Sequence, residues 1–107
     1  MTGMPMRLTI LTPEGACFDE TVTSVVAPGA KGYFGVLPGH APMVAALEPG
    51  VLTANTESDA AFFVISEGVA DVAPAVMTVL VRRAAQAADM SSAQESVEQM
   101  KTEKGLS

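Results

Sequence analysis

Sulfur and imidazole ligands are scarce in this chain. Its 107 residues include one cysteine, Cys17, and one histidine, His40. A single cysteine excludes a disulfide within the chain, and a reducing compartment is the natural expectation. This pair of soft ligands is also too small to complete a structural zinc site. We therefore expect neither a bound metal nor a cofactor.

Positive charge is scarce as well. Lysine and arginine number 6 against 12 aspartates and glutamates, which gives a formal net charge of −6. Because nucleic-acid binding needs a basic patch, the composition argues against a nucleic-acid partner. The hydrophobic fraction of 49% excludes a disordered chain, and the length fits one domain.

Long apolar runs are missing too. The longest stretch without a charged residue lies between Lys31 and Glu48, and glycines and prolines interrupt it. Such a stretch cannot form a membrane-spanning helix. Residues 1–5 show no apolar segment of the signal-peptide kind. We therefore expect contact with a membrane only through a partner.

Short segments of β character fill residues 6–82. In the first of them Met6, Leu8 and Ile10 alternate with polar Arg7 and Thr9, as in a strand with one buried face. Similar runs occupy 16–18, 21–27, 33–37, 43–47, 51–54, 61–65, 69–73 and 76–81. No segment between them is long enough for a crossover helix, which disfavours a parallel βαβ sheet. We expect a mainly β fold, a two-sheet antiparallel β-sandwich or flattened barrel, with hairpin tips at 56–59 and 73–75.

The chain changes character after residue 83. The alanine-rich residues 84–88 suit either a helix or a last edge strand. Ser92 and Glu95 match a capping box, which predicts that one short helix begins at Ser92. Its apolar face would consist of Ala93, Val97 and Met100. The predicted organisation is a flexible N-terminus (1–5), a β-sandwich domain (6–88) and a short C-terminal helix and tail (89–107).

Groups for catalysis are few. A nucleophile with its base could be built only from His40 with Cys17 or with a hydroxyl. Cys17 lies in an apolar run, which favours a buried thiol that packs as a small hydrophobic group. Ser66 lacks the glycine two positions earlier that a nucleophile elbow requires. We therefore expect no catalytic residues.

Two further patterns admit structural explanations. Gly29, Gly32 and Gly35 recur around Lys31, but no helix follows them, so tight turns explain them better than a phosphate cradle. The only basic pair, at 82–83, fits either a solvated strand end or a contact with an acidic partner.

One segment carries a recognisable motif. Residues 32–42 have the sequence Gly-Tyr-Phe-Gly-Val-Leu-Pro-Gly-His-Ala-Pro. It resembles the signature loop of the epsilon subunit of rotary F-type ATP synthases, in which Gly-x-x-Gly precedes Pro-Gly-His-Ala-Pro. Segments similar to the family follow in its order at 8–14, 47–52, 67–72 and 76–80. Glu67 stands where the family usually has glycine, and the resemblance covers about residues 6–90.

The resemblance implies a non-catalytic subunit of the central stalk, with a β-sandwich followed by a helical hairpin. Such a sandwich holds the gamma subunit and rests on the polar loops of the c-ring, and it contacts the catalytic alpha/beta head indirectly. It couples proton-driven ring rotation through gamma to ATP synthesis in F1. The implied location is peripheral, on the cytoplasmic face of a bacterial plasma membrane.

The resemblance also assigns contacts with gamma and the c-ring to one loop. Its residues are Gly32, Tyr33, Gly35, Pro38, Gly39, His40 and Pro42. The glycines would make this loop compact and the prolines would stiffen it. His40 could hold the local backbone, line the interface, or do both. Because the family often has glutamate at the position of Tyr33, a contact there would be aromatic or a single hydrogen bond.

Two alternatives remain at this point. The chain could be a stand-alone β-sandwich binding module with an unknown ligand, or a small enzyme with His40 as base in an enclosed polar pocket. The tail after residue 90 has room for one helix rather than a hairpin, and it carries no counterpart of the family's nucleotide-binding motif. We expect this helix to dock on the sandwich or fray, and to inhibit ATP hydrolysis weakly at most.

Overall fold

A computed structural model describes the backbone of residues 5–106 and the side chains of residues 5–101. The elements are β1 (Met6–Thr12), β2 (Gly15–Val22), β3 (Ser24–Gly29), β4 (Gly32–Val36), β5 (Met43–Leu47), β6 (Gly50–Asn55), β7 (Ala60–Ile65), β8 (Gly68–Val72), β9 (Val76–Val81), β10 (Ala84–Ala87) and α1 (Met90–Leu106). The predicted flexible N-terminus falls, apart from Pro5, outside the described residues.

The strands form one hydrogen-bonded series that folds into two layers. Its order is β10-β7-β6-β3-β5-β8-β9-β1-β2, and β4 pairs with β3. A single pair, Gly29 with Leu47, joins β3 to β5 where the series turns from one layer to the other. Across the interior, the rings of Phe18 and Phe63 lie edge to face with centroids 4.9 Å apart. The predicted mainly β sandwich with one C-terminal helix is confirmed.

One strand pair departs from the antiparallel expectation. β1 runs parallel to β9, with Arg7 opposite Val76 and Leu11 opposite Leu80. The other pairs of the described series are antiparallel. The antiparallel prediction was based on short turns between consecutive strands. It could not apply to β1 and β9, which are distant in the chain and are not joined by a hairpin.

The inward-facing side chains were largely predictable from alternation. Met6, Leu8 and Ile10 are fully buried in the core, while Arg7 is exposed. The remaining buried side chains of this core come from β2 to β9: Val22, Val25, Ala27, Val36, Leu47, Leu52, Ala54, Phe63, Ile65, Ala70, Val72, Met77, Val79 and Val81. The core thus fills the space between the two layers.

The predicted turns are confirmed. At the tip between β6 and β7, the Thr56 amide donates to the Asp59 carbonyl at 2.8 Å. Between β8 and β9, the Ala73 amide donates to the Val76 carbonyl at 2.9 Å. The segment with two open interpretations, residues 84–88, contains strand β10, which pairs with β7.

The helix begins earlier than the capping-box pattern predicts. Helix α1 starts at Met90, and Asp89 is its N-cap, because the Asp89 carboxylate accepts the Ser92 amide at 2.8 Å. The Asp89 carbonyl accepts the Ala93 amide at 3.1 Å, which closes the first helical turn. The prediction of a start at Ser92 is therefore wrong. Serine and aspartate both cap helices. Because Asp89 rather than Ser92 is the N-cap, the helix is about one turn longer than predicted.

Helix α1 docks on the outer face of β6, β7 and β10. Ala93 and Val97 form a second buried cluster with Val51 and Val64, separate from the main core. Phe62, Ala87 and Met100 pack around it. Of the two outcomes expected for this helix, docking on the sandwich or fraying, its described side chains show docking. No helix in the described part of the chain is both long and apolar enough to cross a membrane.

The cap should make the helix sensitive to acid. Hydrogen bonding from the Ser92 amide, and then from the Ser92 side chain, lowers the pKa of Asp89 below its ordinary value of 3.8. A lowered folded-state pKa contributes stability that is complete above the unfolded pKa and disappears as pH falls through the folded one. We expect the helical circular-dichroism signal to decrease below about pH 4, where aspartate protonates.

Two variants isolate this effect. Asp89→Ala should lower helical content at neutral pH, because the Ser92 amide loses its acceptor. Asp89→Asn keeps an acceptor oxygen but cannot titrate, so its helical signal should lack the additional acid step. Equal acid profiles for wild type and Asp89→Asn would show that this carboxylate does not control the helix start.

Candidate interaction site

The motif segment 32–42 does not form the compact loop that we expected. Residues Gly32–Val36 are strand β4, and only the residues after Val36 form a loop. A strand advances about 3.3 Å per residue, so Gly32 and Leu37 lie about 16 Å apart. The candidate site residues therefore divide into two groups, at opposite ends of β4. The glycine-proline pattern is typical of loops, but β4 pairs fully with β3 and this pairing extends the chain.

The first group, called here the histidine loop, is residues 37–42. It contains Pro38, Gly39, His40 and Pro42 of the candidate set. The Gly39 amide donates to the Pro74 carbonyl at 2.8 Å, which ties the loop to the β8–β9 turn. The His40 amide donates to the Leu37 carbonyl at 3.1 Å, and His40 Nδ1 lies 2.7 Å from the Ala41 carbonyl oxygen. His40 therefore holds the local backbone, one of the two roles considered for it.

The second group lies at the β3–β4 hairpin and contains Gly32 and Tyr33. Gly32 has φ of +121°, a conformation that favours glycine at this tight turn. Tyr33 is 61% exposed, yet its hydroxyl accepts the Val51 amide at 3.1 Å. Gly35 lies between the two groups in mid-strand, and its φ is not positive. The structure thus places Gly32 and Tyr33 away from His40.

The outer face of the second layer carries an unbroken apolar row. Each member lies opposite the next in register across β5, β8, β9, β1 and β2. We call these residues the apolar row: Ala46, Val69, Leu80, Leu11 and Ala16. Val69 and Leu80 are 39% and 48% exposed. Exposed apolar side chains that are contiguous mark interaction surfaces far better than scattered ones.

The neighbouring register positions on this face are mostly polar. The Asp19 carboxylate accepts from Arg7 Nε at 2.6 Å and from Arg7 Nη2 at 2.8 Å, and Thr9 donates to it at 3.2 Å. The Arg7 hydrogen bond lowers the pKa of Asp19, and the same pairing raises the pKa of Arg7. Arg7 and Asp19 offset each other's charge, and the same polar border also contains the Asp71 carboxyl group, which lies opposite Thr78.

The placement of Cys17 contradicts the expectation of a buried thiol. Cys17 is exposed. It is the additional residue of a β-bulge, since Ile10 pairs with Phe18 and Leu11 pairs with Ala16. The bulge turns the thiol out of the sandwich, which composition alone could not indicate. Partial desolvation raises the pKa of Cys17.

Cys17 and His40 are not brought together. Cys17 follows Ala16, whose neighbour Leu11 pairs with Leu80 near the end of β9. The histidine loop is tied to Pro74, before the start of β9. His40 is not among the lining residues of either of two surface clefts in the described part of the chain. Neither cleft therefore provides the enclosed polar pocket that a His40-dependent enzyme would need.

The larger cleft, of about 1280 Å³, lies between the unpaired edges of β2 and β10 and helix α1. Cys17, Arg82 and Arg83 are among its lining residues. Within the described residues, no group of three or more histidines, cysteines, aspartates and glutamates is arranged to hold a metal ion.

Ser66 has a structural role that its sequence context does not indicate. Its side chain is buried, at 4% exposure, and its Oγ accepts the Arg82 amide at 3.1 Å and the Arg83 amide at 3.0 Å. The Ser66 amide donates to the Arg83 carbonyl at 3.0 Å. Ser66 therefore joins the β7–β8 and β9–β10 connections, two of the places where the chain changes layer at this end. No local pattern indicates this, because the partners are 16 and 17 residues away.

A two-layer β-sandwich with an exposed apolar row and a tethered, proline-rich loop defines the class of small interaction domains. The comparison with known families is more specific. A sequence profile described as ATP synthase, Delta/Epsilon chain, beta-sandwich domain matches residues 5–87. The chain belongs to this family.

Relatives from bacteria support this assignment. An ATP synthase epsilon chain of Magnetococcus marinus is 44% identical over 82 residues, which cover 77% of this chain and 60% of that relative. An ATP synthase epsilon chain of Pelotomaculum thermopropionicum is 33% identical over 106 residues, 99% of this chain and 79% of the relative. The match to Magnetococcus thus spans less than two thirds of that relative's length.

Solved structures share the fold. A chain of the Euglena gracilis mitochondrial ATP synthase, in a structure of OSCP, F1 and c-ring, superposes with a TM-score of 0.74 at 24% identity. The superposition covers 95% of this chain and 67% of that one. A chain from the central stalk and c-ring of the Tetrahymena thermophila enzyme gives a TM-score of 0.64 at 14% identity, covering 79% and 69% of the two chains.

Proposed function

We propose that this protein is a non-catalytic epsilon subunit in the central stalk of an F-type ATP synthase. It couples proton-driven rotation of the c-ring, through gamma, to ATP synthesis in F1. The proposal includes a peripheral position on the F1 side, at the cytoplasmic face of a bacterial plasma membrane, with no contact to lipid of its own. The alpha/beta head is reached indirectly.

The observation that carries this proposal is the apolar row. A rotor subunit must bind its stalk partner tightly enough to turn with it, and apolar burial is the main source of such affinity. Leu80 and Val69 lie at the centre of the row, flanked by Leu11. We assign the gamma contact to this surface.

The histidine loop and the β3–β4 hairpin are proposed as further, separate contacts with gamma and the polar loops of the c-ring. Both are exposed, and both are held by hydrogen bonds to neighbouring elements. A fixed loop transmits force with less displacement than a free one. Because β4 separates the two regions, each can contact a different partner or a different part of one partner.

The alternative of a stand-alone binding module predicts no affinity for gamma. We therefore propose analytical ultracentrifugation of the full chain with the purified gamma subunit of the same organism. A 1:1 complex at micromolar concentrations is expected. Leu80→Asp should weaken this complex at least about tenfold, which corresponds to about 1.4 kcal/mol.

Val44→Asp is the matched control. Val44 is 72% exposed on the same outer face, but it lies opposite Asp71 and outside the apolar row. This variant introduces the same charge and should bind gamma as wild type does. If the wild-type chain fails to associate, the stalk assignment fails. If both variants weaken binding equally, the effect comes from charge rather than from the row.

A further inference from the structure

The Val51 amide donates to a side-chain acceptor just beyond the point where the β3–β6 pairing ends. The β3–β6 pairing runs from Ser24 opposite Asn55 to Val26 opposite Thr53. Continued by two residues, this register would set Pro28 opposite Val51. The Pro28 carbonyl, however, accepts the Glu48 amide at 3.0 Å.

Without a carbonyl of β3, the amide of buried Val51 needs another partner. Val51 is 4% exposed, and an unpaired main-chain donor at such a position is strongly unfavourable. The Tyr33 hydroxyl oxygen lies 3.1 Å from this nitrogen and accepts its hydrogen. Tyr33 is itself opposite Pro28 in the β3–β4 register, so its side chain reaches across β3 to β6.

Gly50 leaves the space that this arrangement needs. A Cβ atom at Gly50 would lie 2.5 Å from Pro28 Cβ and 2.8 Å from the Tyr33 hydroxyl oxygen. Both distances are shorter than van der Waals contact. Gly50, the first residue of β6, therefore permits the close approach of Tyr33.

We propose that Tyr33 is a positioning residue that latches β4 to β6. In the strand series β4 pairs with β3 alone, so the Tyr33 hydroxyl is its attachment to a second strand. The histidine loop follows β4 directly, so the latch and the Gly39–Pro74 hydrogen bond fix the two ends of the segment that holds it. The hydroxyl oxygen thus accepts from the protein's own backbone, while the exposed ring and the hydroxyl hydrogen can still contact a partner. The latch itself does not depend on the proposed function.

The wild-type chain provides the first test. It has one tyrosine and no tryptophan, so aromatic tyrosine resonances belong to Tyr33 alone. We expect a nuclear Overhauser cross-peak between the Tyr33 ring protons nearest the hydroxyl and the Val51 amide proton. The absence of this cross-peak in a folded sample would overturn the latch.

Hydrogen exchange provides the second test. Tyr33→Phe keeps the ring and removes the acceptor, so exchange of the Val51 amide should accelerate about tenfold or more. Thr23→Val is the matched control. It removes a hydroxyl that donates to the Asn55 carbonyl at 3.1 Å, at the other end of the β3–β6 pairing, and Val51 exchange should not change. A change below about twofold in Tyr33→Phe would overturn the proposal.

The positioning role has its own measurement. In Tyr33→Phe, exchange of the Gly39 amide should also accelerate, because the segment before the loop is less restrained. A merely local hydrogen bond would change Val51 exchange and leave Gly39 unaffected, which would reject the positioning role. Retained gamma binding by Tyr33→Phe is compatible with the latch, whereas failure of wild type to bind gamma tests only the stalk assignment.

Discussion

Gly68→Ala is expected to destabilise this protein by more than about 3 kcal/mol, beyond the usual range for a single methyl group. A Cβ atom at Gly68 would lie 2.0 Å from the Leu80 carbonyl oxygen and 2.7 Å from Val81 Cγ1. The first contact is with backbone in the β8–β9 pairing, where Gly68 lies opposite Val81. Relief would require β8 and β9 to separate. For a domain of this size the midpoint of thermal unfolding should fall by more than about 12 °C.

Gly35→Ala is the control for this substitution. It adds the same methyl group in mid-strand, where the Cβ would meet only the Val25 carbonyl oxygen, at 3.9 Å. We expect a change within about 1 kcal/mol in urea denaturation, because Ala also loses less conformational entropy than Gly on folding. If both variants unfold at the same urea concentration, the close approach of β8 and β9 at Gly68 is wrong.

The same two glycines show what the sequence could and could not indicate. Gly35 belongs to the recognisable motif and would be the natural choice for a glycine that needs a left-handed conformation. Its φ is not positive, whereas Gly32 and Gly39 have φ of +121° and +86°. The resemblance described from the sequence predicts two glycines at positions 67 and 68, and this chain has Glu67 and Gly68 there. Of positions 67 and 68, only Gly68 excludes a side chain, and the reason is its close contact with the backbone of the neighbouring strand β9.

Alternation and turn residues predicted most of the fold because both act locally. The buried positions of β1 follow directly from its two-residue period, and the tip at 56–59 follows from its polar residues. The β-bulge at Cys17 could not be predicted in this way. An additional residue reverses which side chains face inward, and whether it is accommodated depends on the neighbouring strand.

The sequence indicated which residues make up the candidate site but not the conformation that they adopt. The motif singled out residues 32–42 as one segment, which contains both Tyr33 and the histidine loop. Their separation depends on β3, which pairs with residues 32–36 and extends them. The acceptor for Val51 depends on three strands and a proline, so it required the tertiary structure.

Ser66→Ala should cause the second large loss, of about 2–4 kcal/mol. The substitution removes the acceptor of the Arg82 and Arg83 amides, and each main-chain donor left unpaired costs about 1–3 kcal/mol when water cannot replace the lost partner. The Ser66 side chain is buried at 4% exposure, which limits that replacement. Since the Ser66 amide still donates to the Arg83 carbonyl, the two connections should loosen rather than separate.

Urea denaturation of Ser66→Ala beside Ser58→Ala measures this effect. Ser58 is exposed in the turn between β6 and β7, so its substitution should change stability by less than about 0.5 kcal/mol. Amide hydrogen exchange shows where the structure loosens. The Arg82 and Arg83 amides should exchange faster in Ser66→Ala, while the Ala73 amide in the β8–β9 turn should be unaffected. Unchanged exchange at Arg82 and Arg83 would mean that water takes the place of the hydroxyl. The two layer-changing connections would then be held by main-chain contacts and core packing alone.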